Sequence, residues 1–350
     1  SLPGPIMTLM LNTGLTLVVL VGAIRVNNGQ TEPGAILAFL TYFNMILMGI
    51  MGLNRIFLTM SKANASANRI AAVVRTEETL SALPEEEAAH TDSDAYILFD
   101  DVSFRYGEDS KDGGTTGFAG ENRQMSLENV SFAMKKGGSL GIIGPTGCGK
   151  TTIINLLMRF YDTTNGHVFI GGKDIRTYDK DELHRMFGVV FQNDVIFADT
   201  LAENISFGRE ISEEAMRNAV ADARAAEFVE AYEDKYQHRA SIHGANLSGG
   251  QRQRILISRA LAADPDILIL DDASSALDYK TDAALRKAIL EHHSGTTTII
   301  VAQRVSSIMS LDHILVMDEG RVIGQGTHEE LLRSCPQYQD IYKTQMGEEG

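Results

Sequence analysis

A glycine-rich run near the middle of the chain has the residue types and spacing needed to hold phosphate groups. Gly144-Pro-Thr-Gly-Cys-Gly149-Lys150-Thr151 satisfies the pattern G-x-x-x-x-G-K-[ST], with a strand predicted before it and a helix after it. In such a loop the backbone N–H groups approach phosphate oxygens, Lys150 reaches the β and γ phosphates, and Thr151 offers a hydroxyl to Mg²⁺. The predicted cofactors are therefore ATP and Mg²⁺, bound by Gly144, Thr146, Gly147, Cys148, Gly149, Lys150, Thr151 and Thr152.

A carboxylate at the end of an apolar stretch belongs to the same chemistry. Ile267-Leu-Ile-Leu-Asp271 predicts a buried strand that ends in a carboxylate. A core strand that ends in Asp is common and has no special role when it occurs alone. Beside a phosphate loop, however, Asp271 and Thr151 together predict a magnesium site.

The elements that must position these residues alternate between strand and helix. Apolar alternation predicts strands at Tyr96 to Tyr106, Leu127 to Met134, Ser139 to Ile143, Asp266 to Leu270 and Thr297 to Val301, and helices from Lys150 and at Ala283 to His292. This order predicts an α/β fold of the P-loop NTPase kind with a largely parallel sheet.

Two uncharged apolar runs precede this α/β region. Leu2 to Ile24 and Ala35 to Leu53 contain no charged residue, and each is long enough to cross a bilayer as a helix. We expect transmembrane helices at about 2–24 and 34–54, with an amphipathic cytosolic extension to Val74 and basic residues that place this end in the cytoplasm. A signal peptide and a pair of buried core helices are the alternatives.

Composition divides the chain and limits its partners. We expect a membrane part at 1–83, an acidic linker at 84–94 and a nucleotide-binding domain at 95–350, with a polar insertion at about 107–125 that is mobile or docks a partner. The formal net charge of −15 argues against nucleic acid as a partner. The two cysteines lack the spacing of a zinc site or a disulfide framework.

The most discriminating string is Leu247-Ser-Gly-Gly-Gln251, which is followed by a predicted helix. LSGGQ resembles the signature of ATP-binding cassette (ABC) proteins, and the resemblance extends from Tyr96 to about Tyr342. It implies that Ser248, Gly249, Gly250 and Gln251 form an anion site for the γ-phosphate of an ATP held by a second subunit. The helices at the N-terminus look like the last two of an exporter-type member, so we expect four more beyond this sequence.

Further positions match the ABC family one by one. The resemblance implies that Tyr106 stacks on adenine, that Gln192 is the Q-loop glutamine and a Mg²⁺ ligand, and that Ser275 to Asp278 form the D-loop. Each residue alone has an ordinary explanation, such as a strand aromatic or a surface amide. Their order and register with the other motifs favour the functional interpretation.

Two positions depart from the family at the hydrolytic step. Asp272 stands where a Glu normally follows the strand aspartate, and Gln303 stands where a His normally contacts the γ-phosphate. The Asp side chain is shorter by about 1.5 Å, and Gln carries no charge at neutral pH. With Gln192, these are the predicted catalytic residues, and their types suggest a site that binds ATP but hydrolyses it slowly.

The resulting hypothesis is the impaired half of a heterodimeric ABC exporter. It is an ABC-type ATPase integral to the cell membrane, multi-pass, in contact with lipid, with its nucleotide-binding domain in the cytoplasm. The partner is a second half-transporter, to whose competent site this chain lends its intact signature. The transported substrate is not specified by the sequence. The alternatives are a soluble ABC-type ATPase and a regulatory nucleotide-binding subunit without transport.

Overall fold

The computed structural model describes residues 3–75, 80–107 and 125–347. The chain divides into two compact units, Ser1–Thr79 and Leu80–Gly350. Residues 108–124, which make up nearly all of the polar insertion predicted at 107–125, lie outside the described part. The prediction for that insertion therefore stays a prediction.

The first unit consists of helices α1 (Pro3–Asn27) and α2 (Pro33–Val74). Pro33 starts α2 favourably, because proline at the first helical position gives up no hydrogen bond. Both helices are long and apolar enough to cross a membrane, over Thr8–Asn27 and Pro33–Val74, and the apolar windows bury no side chains within the unit. α1 runs three residues beyond the predicted end at Ile24, because Arg25, Val26 and Asn27 complete a further helical turn before the bend at Gly29.

The second unit alternates between strands and helices, as predicted. Its strands are β1 (Ile97–Phe104), β2 (Leu127–Met134), β3 (Ser139–Ile143), β4 (Asn165–Ile170), β5 (Lys173–Asp174), β6 (Phe187–Val190), β7 (Ile267–Asp271), β8 (Thr297–Val301), β9 (His313–Asp318) and β10 (Arg321–Gly326). Its helices are α3 (Lys150–Leu157), α4 (Lys180–Arg185), α5 (Leu201–Ser206), α6 (Glu213–Asp222), α7 (Ala226–Ala231), α8 (Gly249–Leu261), α9 (Tyr279–His292), α10 (His328–Ser334) and α11 (Pro336–Met346).

The larger sheet has the order β10-β9-β3-β8-β7-β6, and all its neighbouring pairs are parallel except β9 with β10. Every residue of β3, β7 and β8 is buried, as expected for strands covered on both faces. The carboxyl ends of these three neighbours therefore meet at one edge of the sheet. Two apolar clusters cover its faces, one around α3 and the smaller sheet β2-β1-β4-β5, and the other around α8 and α9.

β1 is shorter than predicted, spanning Ile97–Phe104 rather than Tyr96 to Tyr106, and two further elements have shifted boundaries. β7 begins and ends one residue later than predicted, so that Asp271 itself pairs with Val301 of β8. α9 begins at Tyr279 rather than Ala283, because the Asp278 carboxylate accepts a hydrogen bond from the Thr281 N–H and caps the helix. Both shifts leave the order of elements unchanged.

The residues just before the predicted linker at 84–94 are bonded within the second unit. The Arg159 guanidinium, which is 4% exposed, donates to the Ser81 carbonyl at 2.8 Å. The Leu83 N–H donates to the Arg176 carbonyl at 2.7 Å. Arg159 follows α3 directly, so these bonds connect the chain leaving the first unit to the helix after the glycine-rich loop.

Candidate active site

The glycine-rich loop joins β3 to α3 at the carboxyl edge of the larger sheet. Gly149 has a φ of 102°, in the left-handed region, and a Cβ there would lie 2.7 Å from Leu127 Cδ2 and 2.8 Å from the Ser126 carbonyl oxygen. Both conditions require glycine at this position. The loop can therefore bring its backbone N–H groups to the N-terminus of α3, where an anion is favoured.

The charged and hydroxyl side chains of the loop both have hydrogen-bond partners close to the loop. Lys150 Nζ donates to the carbonyls of Gly144 at 2.7 Å and Pro145 at 2.8 Å, so it is folded over the loop. The Thr151 hydroxyl donates to Asp271 Oδ2 at 3.1 Å. Burial of Asp271 raises the pKa of its carboxyl, while the bond from Thr151 lowers it. A buried carboxylate beside a hydroxyl supplies the oxygen ligands that Mg²⁺ prefers.

Asp272 and Gln303, the two residues that differ from the ABC pattern, contact each other. Gln303 Nε2 donates to Asp272 Oδ2 at 2.8 Å. Asp272 has a φ of 54°, and its N–H donates to the Val301 carbonyl at 2.9 Å, which fixes it at the end of β7. Burial raises the pKa of the Asp272 carboxyl, against the lowering effects of Lys150 and Gln303. The amide of Gln303 is thus bonded to the carboxylate at the position of the usual Glu.

Tyr106 lies beside α3 at the same cleft. Its hydroxyl donates to Thr152 Oγ1 at 3.3 Å and accepts from Asn155 Nδ2 at 3.3 Å. The ring packs edge-on against Phe104 at 4.7 Å and Tyr161 at 5.1 Å between centroids. These contacts hold the ring in one orientation at the wall of the cleft.

The cleft that collects these groups has a volume of about 510 Å³. Eleven of the predicted site residues line it: Tyr106, Thr146, Gly147, Gly149, Lys150, Thr151, Thr152, Gln192, Asp271, Asp272 and Gln303. Sequence reasoning missed six others: Met125, Ser126, Val301, Ala302, Glu319 and Gly320. Val301 and Ala302 could have been inferred as neighbours of Gln303, whereas the other four belong to no motif.

Two predicted residues of the loop do not line the cleft. Gly144 packs against the Met317 carbonyl and Cys148 Sγ. The Cys148 side chain is 4% exposed and faces the core, and burial raises the pKa of its thiol. Cys148 can therefore contribute only backbone groups to a ligand, and its side chain fills space behind the loop.

The LSGGQ segment also lies outside the cleft. Ser248 caps α8: its Oγ accepts from the Gln251 N–H at 3.2 Å, and its own N–H donates to Gln251 Oε1 at 2.8 Å. Gln253 on the same helix bonds Ser275 Oγ at 3.0 Å and the Ala276 N–H at 2.9 Å, which ties the segment to the predicted D-loop. None of residues 247–251, at the N-terminus of this 13-residue helix, lines the chain's own cleft.

Comparison with known proteins identifies the family. A family model described as ABC transporter matches residues 127–275. The chain is 38% identical over 325 residues to the beta-(1→2)glucan export ATP-binding/permease protein NdvA of Rhizobium johnstonii, covering 91% of this chain and 52% of that protein. The chain belongs to the ABC transporter family.

Other relatives include a protein named as a flippase and a solved structure of an ABC exporter. It is 34% identical over 342 residues to the ATP-dependent lipid A-core flippase of Desulfotalea psychrophila, covering 97% of this chain and 57% of the flippase. A bacterial Atm1-family ABC exporter solved with ATP bound superposes with a TM-score of 0.72 at 29% identity, covering 98% of this chain and 57% of that one. The chain therefore spans about half the length of the relatives it matches.

The family confirms the fold predicted from the motifs. N-terminal helices precede an α/β ABC nucleotide-binding domain, and the domain carries an ATP-binding site. Among the residues that the structure describes, no group of three His, Cys, Asp or Glu side chains is arranged to hold a metal. Thr151 and Asp271 contact each other in the cleft and Gln192 lines it, so these side chains, with phosphate oxygens, are the groups that would hold Mg²⁺.

Proposed function

We propose that this chain is one half of an ATP-driven exporter whose own ATP site is impaired in hydrolysis. The observation that carries the proposal is the 2.8 Å hydrogen bond from Gln303 to Asp272 inside the cleft. It joins the two substituted positions in one contact, at the carboxyl ends of β7 and β8. The ATP-binding machinery around the pair is otherwise complete.

The binding step rests on the loop and on the buried carboxylate. The backbone N–H groups of residues 144–152 cradle the phosphates, and Lys150 leaves its loop carbonyls to meet the β and γ phosphates. Tyr106 offers its ring to the adenine. Thr151, Asp271 and Gln192 hold Mg²⁺, which neutralises charge on the phosphates when it is bound.

The hydrolytic step is slow because neither substituted residue is suited to it. Asp272 ends about 1.5 Å short of the position of a Glu carboxylate, and misplacement by about 1 Å can cost about a hundredfold in rate. Its carboxylate is also occupied by the Gln303 amide and has a raised pKa because it is buried. Gln303 donates a hydrogen bond without the charge of a protonated His. The site therefore holds ATP for long periods.

The signature segment serves a different nucleotide. Ser248 and the glycine N–H groups lie at the N-terminus of α8, outside this chain's cleft. A second half-transporter that presents its ATP there would complete a competent site with this chain's intact LSGGQ. ATP binding at both sites then brings the two nucleotide-binding domains together, and hydrolysis at the partner's site separates them.

Helices α1 and α2 form the membrane part of this chain in the proposal. In the proposed transporter they cross the cell membrane, contact lipid, and leave the nucleotide-binding domain in the cytoplasm. The exported substrate passes between this chain and the partner subunit. Export is supported by two relatives, a protein named for export of β-(1→2)glucan and one named as a lipid A-core flippase.

The test distinguishes the role of Ser248 in the signature from its role as a helix cap. In the assembled transporter, S248A should lower ATP turnover at least about tenfold, while labelling of this chain by a photoreactive ATP analogue is unchanged. S212A is the matched control, because Ser212 caps α6 in the same way, by accepting from the Ala215 N–H at 3.1 Å. Equal turnover in the two variants would contradict the proposal.

A further inference from the structure

Gln345 on α11 holds the backbone of the segment that carries Gln303. Its side chain is exposed, yet both atoms of its amide are bonded. Nε2 donates to the Gln303 carbonyl at 2.7 Å, and Oε1 accepts from the Val305 N–H at 2.8 Å. The amide therefore bridges the two residues on either side of Arg304.

The side chain of Gln303, in the same short segment, is held by a residue of the cleft. Gln303 Nε2 donates to Asp272 Oδ2 at 2.8 Å, and both residues line the cleft. Arg304 adds only long contacts to the carbonyls of Ser275 at 3.4 Å and Leu277 at 3.5 Å. The backbone of Gln303 is thus fixed by Gln345 and its side chain by Asp272. A change at Gln345 is transmitted to the cleft through one residue.

We propose that Gln345 is a positioning residue for the ATP site, which keeps Gln303 against Asp272 and so slows the release of nucleotide. The inference rests on the proposed function, since it concerns the site that holds ATP. Gln345 does not line the cleft. Its effect is pre-organisation: a segment already fixed in the binding geometry loses less freedom when nucleotide binds.

The same helix offers a matched control. Gln339 Nε2 donates to the Leu332 carbonyl at 2.8 Å, which joins α11 to the end of α10 away from the cleft. Gln339 and Gln345 thus share a residue type, a helix and a bond to a backbone carbonyl. Only Gln345 also bonds the segment that reaches the ATP site. A purely structural role for α11 predicts similar effects for both substitutions.

The experiment measures release of mant-ATP from the full transporter, assembled with its partner, by stopped-flow fluorescence. The phase that belongs to this chain is the one lost in K150A. Q345A should speed that phase about fivefold or more, as expected for the loss of hydrogen bonds that hold the segment. Q345E, which keeps an acceptor for Val305 but cannot donate to Gln303, should also speed it. Q339A should change it less than twofold.

A double substitution shows whether the effect passes through Gln303. In a Q303A background, Q345A should speed release little further, because residues acting in one chain of contacts are not additive. The inference is overturned if Q345A has no more effect than Q339A, or if its full effect persists in Q303A. Thermal unfolding of each variant identifies a general loss of packing, and Q345E provides a second substitution should Q345A unfold.

The same experiment tests the proposed function by a separate readout, the identity of the released nucleotide. The nucleotide recovered from this chain's phase is expected to be mant-ATP in the wild-type transporter. Recovery of mant-ADP at the rate of steady turnover would contradict the impaired site. The comparison between Q345A and Q339A would still decide the role of Gln345.

Discussion

At the scale of single residues, Tyr106 combines a ring suited to adenine with a hydroxyl bonded to α3. The two roles can be separated by substitution. Y106F removes the bonds to Thr152 and Asn155 but keeps the ring. Y106A removes both.

We expect Y106A to weaken ATP binding about tenfold, the affinity equivalent of an aromatic stacking contact of about 1.4 kcal/mol. Y106F should weaken it less than threefold. Equilibrium titration with mant-ATP measures both values. Similar losses in the two variants would mean that the hydroxyl, rather than the ring, matters for the nucleotide.

Asp271 gives a prediction with a defined pH dependence. Burial raises the pKa of its carboxyl in the folded, nucleotide-free protein. A raised folded-state pKa means that the charged form costs stability, and this cost appears as the pH rises above the usual Asp value of about 3.9. D271N should therefore raise the Tm of the nucleotide-free protein at pH 8 by about 2–4 °C, with a smaller gain at about pH 3, below the usual Asp value.

Asp174 provides a control for which the expected change in Tm has the opposite sign. Burial alone would raise the pKa of its carboxyl, but the hydrogen bonds and charge of Arg176 lower it overall. A lowered pKa contributes stability that is present at neutral pH and lost in acid, so D174N should lower the Tm at pH 8. Melting curves at the two pH values check both variants. A Tm gain for D271N that is equal at pH 8 and at about pH 3 would contradict the assignment.

At the scale of elements, Arg159 connects the P-loop helix to the segment that follows α2. Its guanidinium bonds Asp162 at 3.0 Å and the carbonyls of Arg176 at 3.0 Å and Ser81 at 2.8 Å. R159A should lower the free energy of unfolding of the second unit by about 2–4 kcal/mol. It should also speed hydrogen exchange at the Leu83 N–H.

The matched control for Arg159 is an exposed arginine with an ordinary ion pair. Arg217 bonds Glu213 at 2.7 Å, with side chains 66% and 88% exposed, so R217A should cost less than about 0.5 kcal/mol. Chemical denaturation compares the two variants. If Leu83 exchanges equally fast in both, the Arg159 contacts do not hold the segment.

The elements that carry the motifs were predictable because their patterns are local, whereas five strands of the second unit were not predicted: β4, β5, β6, β9 and β10. The alternating order of strands and helices, the P-loop at Gly144 to Thr151 and the carboxylate of Asp271 follow from residues close in sequence. Ser126 and Gly320 could not be inferred, since they enter the cleft from loops before β2 and after β9 and carry no motif. The contact of Gln345 with Gln303 could not be inferred from the sequence either, because the two residues are 42 positions apart and are brought together by α11.

The substitutions at Asp272 and Gln303 were visible in the sequence, but their contact was not. Each was predicted to weaken hydrolysis for its own chemical reason. The fold brings them together because β7 and β8 are parallel neighbours whose carboxyl ends coincide. The hydrogen bond between them therefore follows from the sheet order rather than from either motif.

At the scale of the whole molecule, the first unit should anchor the chain in a membrane. Alkaline carbonate extraction should leave the wild-type chain in the membrane pellet. M48K, in the exposed apolar surface of α2, should weaken retention, because a central Lys costs about 3 kcal/mol on insertion. I242K is the control, since Ile242 is 70% exposed in the second unit. Release of the wild-type chain would favour a soluble ABC-type ATPase.

In the proposed transporter, the ATP site of this chain holds its nucleotide while the partner's site hydrolyses ATP. The most direct measurement is steady-state ATP turnover by the full chain, purified without its partner, compared with D272E/Q303H. We expect slow turnover in the wild type and a rise of about tenfold to a hundredfold in the double variant. Vigorous turnover by the wild-type chain, or no gain in D272E/Q303H, would contradict this proposal.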